Sequence, residues 1–246
     1  MIAKNANNNN NGIHNNSYFI TLSLFLFLLF NCSYAQEKEE KREAWITNAR
    51  SFVEADRLLR LNADKPSAFE YLQKRNDSEK KFKDCKSPSI DKIEEMLSSD
   101  IIENQNIACV AVYISGNYSE RTIKYLVRIL QRNEPFELKR FSLFALKRVQ
   151  LEDLKPFEES IFQAIESEND KFVLSEEILF LIKFPPEKSS KIARNLLLNK
   201  EDAGIKRLSY GLLHKLGPDF TNPVLKELER KGDNETLKII REMGKP

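Results

Sequence analysis

The side chains best suited to chemistry in this 246-residue chain stand singly, at spacings that do not converge on a reaction centre. Of its two histidines, His14 lies near the N-terminus and His214 is the only one beyond it. A metal site needs several ligands at defined spacing, so a lone imidazole is expected to pack or to face water. The sequence has no Gly-rich phosphate loop, no Gly-x-Ser-x-Gly, no Cys-x-x-Cys and no His-Glu-x-x-His. The acidic neighbours Glu158-Glu159 and Glu176-Glu177 are adjacent in sequence. Adjacent residues on a helix point about 100° apart, so such pairs are expected as solvated charges rather than an acid/base couple. No catalytic residue, metal ligand or cofactor is therefore assigned, and the expectation is a protein that is not an enzyme.

Two other sets of polar side chains have positional meaning. Cys85 and Cys109 would close a loop of about 24 residues in an oxidising compartment, a constraint typically worth about 2–4 kcal/mol. The alternative is two separate thiols, with Cys109 packed in a helix and Cys85 near a helix end. The basic pairs Lys139-Arg140 and Lys206-Arg207 lie 67 residues apart. They either pair internally with acids such as Glu134, Glu137 or Asp202, or form a basic strip that meets an acidic protein partner. Asn117-Tyr118-Ser119 and Asn234-Glu235-Thr236 match the N-glycosylation acceptor pattern, which matters only in a eukaryotic host.

The compartment is written at the N-terminus. Residues 18–30 form an unbroken run, Tyr18 to Phe30, with no charge and few polar side chains. A bilayer span needs about 20 apolar residues, so this run is short for a permanent anchor. The small residues Ser33 and Ala35 follow it, as at the cleavage site of a secretory signal, giving a leader over residues 1–35. Lys4 is its only formal charge, and Asn7–Asn11 is a polyasparagine tract that cannot build a core. Leu29-Phe30-Asn31-Cys32 also resembles a bacterial lipobox, with Asn31 where Gly or Ala is usual. Cys32 is thus a candidate for lipidation. Export to a periplasm, cell envelope or medium is expected, with membrane contact only through an N-terminal lipid or an uncleaved signal.

Cleavage after Ala35 would leave about 211 residues, room for one domain or one array of repeats. That segment keeps all 37 acidic residues and all but one of the 39 basic ones. Near-neutrality removes the cation surplus that nucleic-acid binding requires. Seven glycines and nine prolines are few for this length, and the helix formers Ala, Leu, Lys and Glu abound.

The elements that would position these groups are helices. Apolar residues Trp45, Ala49, Phe52, Val53, Leu58 and Leu59 follow a period near 3.6. Pro66 suits the first turn of a second helix carrying Phe69 and Leu72. Residues 76–89 read as a fraying helix and linker. Beyond them the chain repeats. Segments 107–112, 141–146, 174–179 and 208–213 align without gaps, with the small residues Ala108, Ser142, Ser175 and Ser209 spaced by 34, 33 and 34. Three positions on stand Ala111, Ala145, Ile178 and Leu212, and Gly116 and Gly217 fall where helices should end. Partner helices are predicted at 90–97, 121–130, 154–165, 189–198 and 222–229, with a last helix at 235–243. Such a period signals stacked supersecondary units, each hiding its neighbour's apolar stripe.

This pattern, with Lys139-Arg140 before Phe141-Ser142 and Ala145-Leu146, and Lys206-Arg207 before Leu208-Ser209 and Leu212-Leu213, resembles the HEAT family of α-solenoid repeats over residues 89–244. The Ser175 copy departs, lacking the basic pair, and the Ala108 copy has Gln105-Asn106. A tetratricopeptide array has a similar period but lacks its Trp, Gly and Tyr signature here. The resemblance implies an all-α, right-handed solenoid of antiparallel helix pairs over 89–246, behind a charged lead-in and helical hairpin at 36–88. It also implies a non-catalytic scaffold that binds a protein partner. The alternative is a structural envelope lipoprotein anchored at Cys32.

Overall fold

The computed structural model describes residues 43–243, and all regular structure among them is helical. The leader and Cys32 lie outside the described residues. The chain from Trp45 onward forms one compact unit. Helix α1 spans residues 43–61 and α2 Ala68–Lys83. Then come α3 (Ile90–Leu97), α4 (Ile102–Ser115), α5 (Glu120–Gln131) and α6 (Phe136–Arg148). Helix α7 (Leu151–Leu154) runs through a 3-10 turn at Lys155–Phe157 into α8 (Glu158–Ser167), and α9 (Lys171–Phe180) ends in a second such turn at Leu181–Lys183. Helices α10 (Pro186–Asn199), α11 (Ala203–Leu216), α12 (Pro218–Lys231) and α13 (Asn234–Met243) complete it.

Local chemistry explains where each helix begins. Ser119 opens α5 with a capping box: its Oγ accepts from Thr122 N at 3.1 Å, and Ser119 N donates to Thr122 Oγ1 at 3.2 Å. Asp170 caps α9 by accepting from Phe172 N and Val173 N, and Asp202 caps α11 through Ile205 N. Gly116 closes α4 at φ 70°, a left-handed conformation that side chains with a Cβ resist. Gly217 does the same for α11 at φ 124°, and Pro218 starts α12 at the next residue.

Two sequence expectations need correction. Residues 76–83 are a full continuation of α2, held by buried Phe82, which meets Trp45 of α1 edge-on at 6.2 Å. The partner helix predicted at 154–165 is split: Leu151–Leu154 form a short helix, and a 3-10 turn at Lys155–Phe157, with Pro156 in it, leads into α8.

Packing repeats with the chain. Helices α3 and α4, α5 and α6, α8 and α9, α10 and α11, and α12 and α13 pack as neighbours. Each also meets its counterpart in the next pair: α4 packs on α6, α6 on α9, α9 on α11 and α11 on α13. On the other side α3 packs on α5, α5 on α8, α8 on α10 and α10 on α12. One apolar cluster runs from Trp45 to Ile240. Ala108, Ser142 and Ser209 are fully buried at the close approaches, and Ser142 Oγ donates to Leu126 O of α5 at 2.8 Å.

The third copy departs from the ungapped alignment. Ser175 is half-buried and Leu179 is exposed, whereas Leu174 and Glu177 are buried. Helix α9 is therefore set one residue earlier, which places Leu174 where Ser142 and Ser209 sit and Glu177 where Ala145 and Leu212 sit.

Candidate interaction surface

The basic pairs are turned largely inward. Lys139 is buried, and its Nζ donates to Glu168 Oε2 at 2.6 Å. Glu168 Oε1 in turn accepts from the backbone N–H groups of Asn169 and Asp170, which lead into α9. Lys206, in the matching place on α11, donates to Thr236 Oγ1 at 2.6 Å. Thr236 Oγ1 donates to Asp233 Oδ2 at the start of α13. Both lysines thus reach about one repeat forward. Arg207 is exposed and lies 3.5 Å from Glu242. Their partners are not the acids Glu134, Glu137 and Asp202 that the sequence suggested.

Arg140 belongs to a different network. Asp56 of α1 is fully buried and gathers three guanidinium groups: Arg60 at 3.4 Å, Arg75 at 3.2 Å, and Arg140 in closer contact. Each lies against an aromatic face: Arg60 on Phe136, Arg75 on Phe52, and Arg140 on Phe144 at 4.5 Å. Arg140 also approaches Glu176 at 3.6 Å, which Lys147 shares at 3.2 Å. Phe52 packs against Tyr113 and Phe141, so α1 is riveted to α4 and α6 by both rings and charge. Nothing in the local sequence marks Asp56, because its Arg140 partner is 84 residues away.

Glu177 is the second buried acid that sequence reading misses. It was expected to be solvated. The one-residue offset of α9 buries it fully, and neither carboxylate oxygen has a hydrogen-bond partner. Burial, and secondarily the Glu168 charge, push its pKa up to about 8, while Lys139 and Lys200 pull weakly the other way. It is therefore mostly protonated at neutral pH. Glu176 beside it is the member of the pair held by Arg140 and Lys147.

The remaining candidates are separated. Cys85 and Cys109 are both free thiols. Cys85 Sγ accepts from Asn48 Nδ2 at 3.2 Å and donates to Lys81 O at 3.1 Å, whereas Cys109 is buried in α4 and its thiol pKa is pushed up by burial. His214 is exposed and stacks on Tyr210 at 6.2 Å. Among the described residues no cluster of three or more His, Cys, Asp or Glu could hold a metal ion. No helix among them is long and apolar enough to cross a membrane.

A second consequence of the α9 offset lies on the surface. Phe172, Leu179 and Ile182 are 62 %, 54 % and 44 % exposed, an apolar row along one side of α9 and its terminal turn. Phe136 of α6 extends the row, meeting Phe172 edge-on at 6.0 Å. Lysines border it: Lys171 at the start of α9, and Lys183, whose Nζ donates to Lys147 O at 2.8 Å. Exposed apolar side chains scattered singly are ordinary, whereas these share one side of a single helix and its terminal turn, bordered by polar groups.

Comparison with family models, curated proteins and solved structures finds no match to this chain.

Proposed function

We propose that this chain is an exported, non-catalytic scaffold that binds a protein partner through a surface of stacked HEAT-like helix pairs. The observation that carries the reading is the apolar row Phe172, Leu179 and Ile182 on α9, set among helices that each pack on the counterpart two or three helices on. That succession supports a solenoid of antiparallel pairs, read as right-handed from the HEAT-like pattern, whose repeated helices would offer the extended face such arrays use for binding. An amphipathic segment suits the α9 row, with apolar side chains against Phe172 and Leu179 and acidic ones toward Lys171 and Lys183. Export rests on the apolar run at 18–30 and on Ser33 and Ala35.

A photo-crosslinking side chain at position 179, with one at Glu229 as control, tests the reading in the native compartment. A protein adduct formed at 179 alone, and lost when Phe172→Asp is added, is expected. Equal adducts at both positions, or an adduct indifferent to Phe172→Asp, would overturn it. N-terminal sequencing of the purified protein should begin at Gln36.

A second reading places the same scaffold in the envelope, anchored by a lipid on Cys32, and rests on Leu29-Phe30-Asn31-Cys32. Metabolic labelling with a palmitate analogue, lost in Cys32→Ser, would select it; no label in the wild type would remove it.

A further inference from the structure

Helices α5 and α8 pack against each other, yet their solvent faces carry opposite charge. On α5, Arg121, Lys124, Arg128 and, just past its end, Arg132 are exposed, four cations against the single exposed acid Glu120 at its first position. Arg121 lies 3.5 Å from Glu94, while Lys124, Arg128 and Arg132 have no ion-pair partner among the described residues. Tyr125 organises the row: Arg121 Nη2 donates to its hydroxyl at 3.2 Å, and Arg128 sits 5.8 Å from its ring centre. A hollow of about 460 Å³ opens among Ser119, Glu120, Arg121, Lys124, Tyr125 and Arg128.

On α8, Glu159 and Glu166 are exposed. Glu159 accepts only from Gln163 Nε2 and Glu166 only from Asn195 Nδ2, both neutral donors. No ion pair joins α5 to α8 among the described residues, so the two rows lie side by side with their charges unspent. Their spacing is complementary. Glu159, Gln163 and Glu166 advance by four and three residues, whereas Arg121, Lys124 and Arg128 advance by three and four.

We infer that the α5–α8 face is the contact between two copies of this chain, related by a two-fold axis that lays α5 of each on α8 of the other. Such a contact is self-complementary by symmetry, and each charged row meets its opposite twice. An external acidic segment or an anionic lipid surface would suit α5 but would be repelled by Glu159 and Glu166 beside it. A second copy satisfies both rows at once. The face is distinct from the α9 row and does not rest on the reading given above.

Sedimentation equilibrium of the full chain, with two charge-reversal variants, tests the inference. The wild type is expected as a dimer at low salt, with its dissociation constant rising about tenfold or more as exposed pairs are screened. Lys124→Glu/Arg128→Glu and Glu159→Lys/Glu166→Lys should each be monomeric, and an equimolar mixture of the two should recover the dimer. A monomeric wild type at low salt, a dimer retained in either variant, or a mixture that stays monomeric each overturns it. All four positions are exposed, and a thermal melt of each variant checks that it folds. Should a reversal variant unfold, Lys124→Gln/Arg128→Gln must still weaken the dimer about tenfold, or the inference fails. Crosslinking at position 179 is expected to survive the charge reversals, so failure here is separable from failure of the α9 reading.

Discussion

Two buried carboxylates, one at the junction of α1 with α6 and one between α6 and α9, are treated in opposite ways. Asp56 receives three guanidinium groups, each backed by an aromatic ring. Glu177 receives none, and instead holds its proton. Taking a charge out of water costs several kcal/mol, and a protein either surrounds that charge or neutralises it. The first solution fastens α1 to helices far along the chain. The second leaves a polar group with no hydrogen-bond partner, at the place where the flanking copies have Ala145 and Leu212.

The contrast can be broken most severely at Asp56. Asp56→Ala would leave three partly buried cations without their common acceptor, at a cost of about 3–5 kcal/mol by chemical denaturation. A loss below about 1 kcal/mol would show that the arginines find water instead. Ala145→Glu recreates the situation of Glu177 in a tightly packed copy. Burial of an unsatisfied carboxyl plus overpacking should cost about 3 kcal/mol, and an unchanged melt would refute the equivalence of the two positions.

The opposite manipulation sharpens the comparison. In the folded protein the Glu177 carboxyl titrates near pH 8 rather than in the usual carboxylate range, so the native state holds a proton that the unfolded chain releases. Its contribution is fully present below the ordinary carboxylate pKa and is lost progressively as pH rises to about 8. Glu177→Gln should therefore flatten the stability profile between about pH 4.5 and 8, the penalty at pH 8 being on the order of a few kcal/mol. A variant whose melting temperature retains the wild-type pH slope would assign that slope to other groups. Glu177→Leu should raise stability at pH 8 outright, by about 1–3 kcal/mol.

The smallest effects are expected at the basic pairs. Lys206→Met should cost about 1–2 kcal/mol through loss of the hydrogen bond its ammonium donates to Thr236 Oγ1, whereas exposed Arg207→Ala should change stability by less than about 0.5 kcal/mol. Equal losses at the two positions would place Arg207 in a role that its geometry does not suggest.

Most of the helical plan was legible in the chain. The recurrence of Ala108, Ser142 and Ser209 and the glycines at 116 and 217 each report a local constraint, and local constraints are what sequence records best; the caps Asp170 and Asp202 became visible only in the structure. The offset of α9 was not legible, because Val173, Leu174, Ile178 and Leu179 supply apolar residues in either register. Only the three-dimensional fit decides that Glu177 turns in and Leu179 turns out. Asp56 was hidden for another reason. Its meaning depends on arginines 4, 19 and 84 residues away, and no periodicity links them. The basic pairs were recognised as a regular feature, and their internal reach became visible only with Glu168 and Thr236 in place.

The two forward-reaching lysines bear on how the molecule should respond to mechanical load. Lys139 ties α6 to the entrance of α9, and Lys206 ties α11 to α13. The corresponding position on α9 is Lys171, which points to solvent. Lys200, just before α11, braces that seam from the opposite side by donating to Glu168 O at 2.6 Å, so Lys200→Met should make it the first to part when the protein is stretched by its ends in a single-molecule trap.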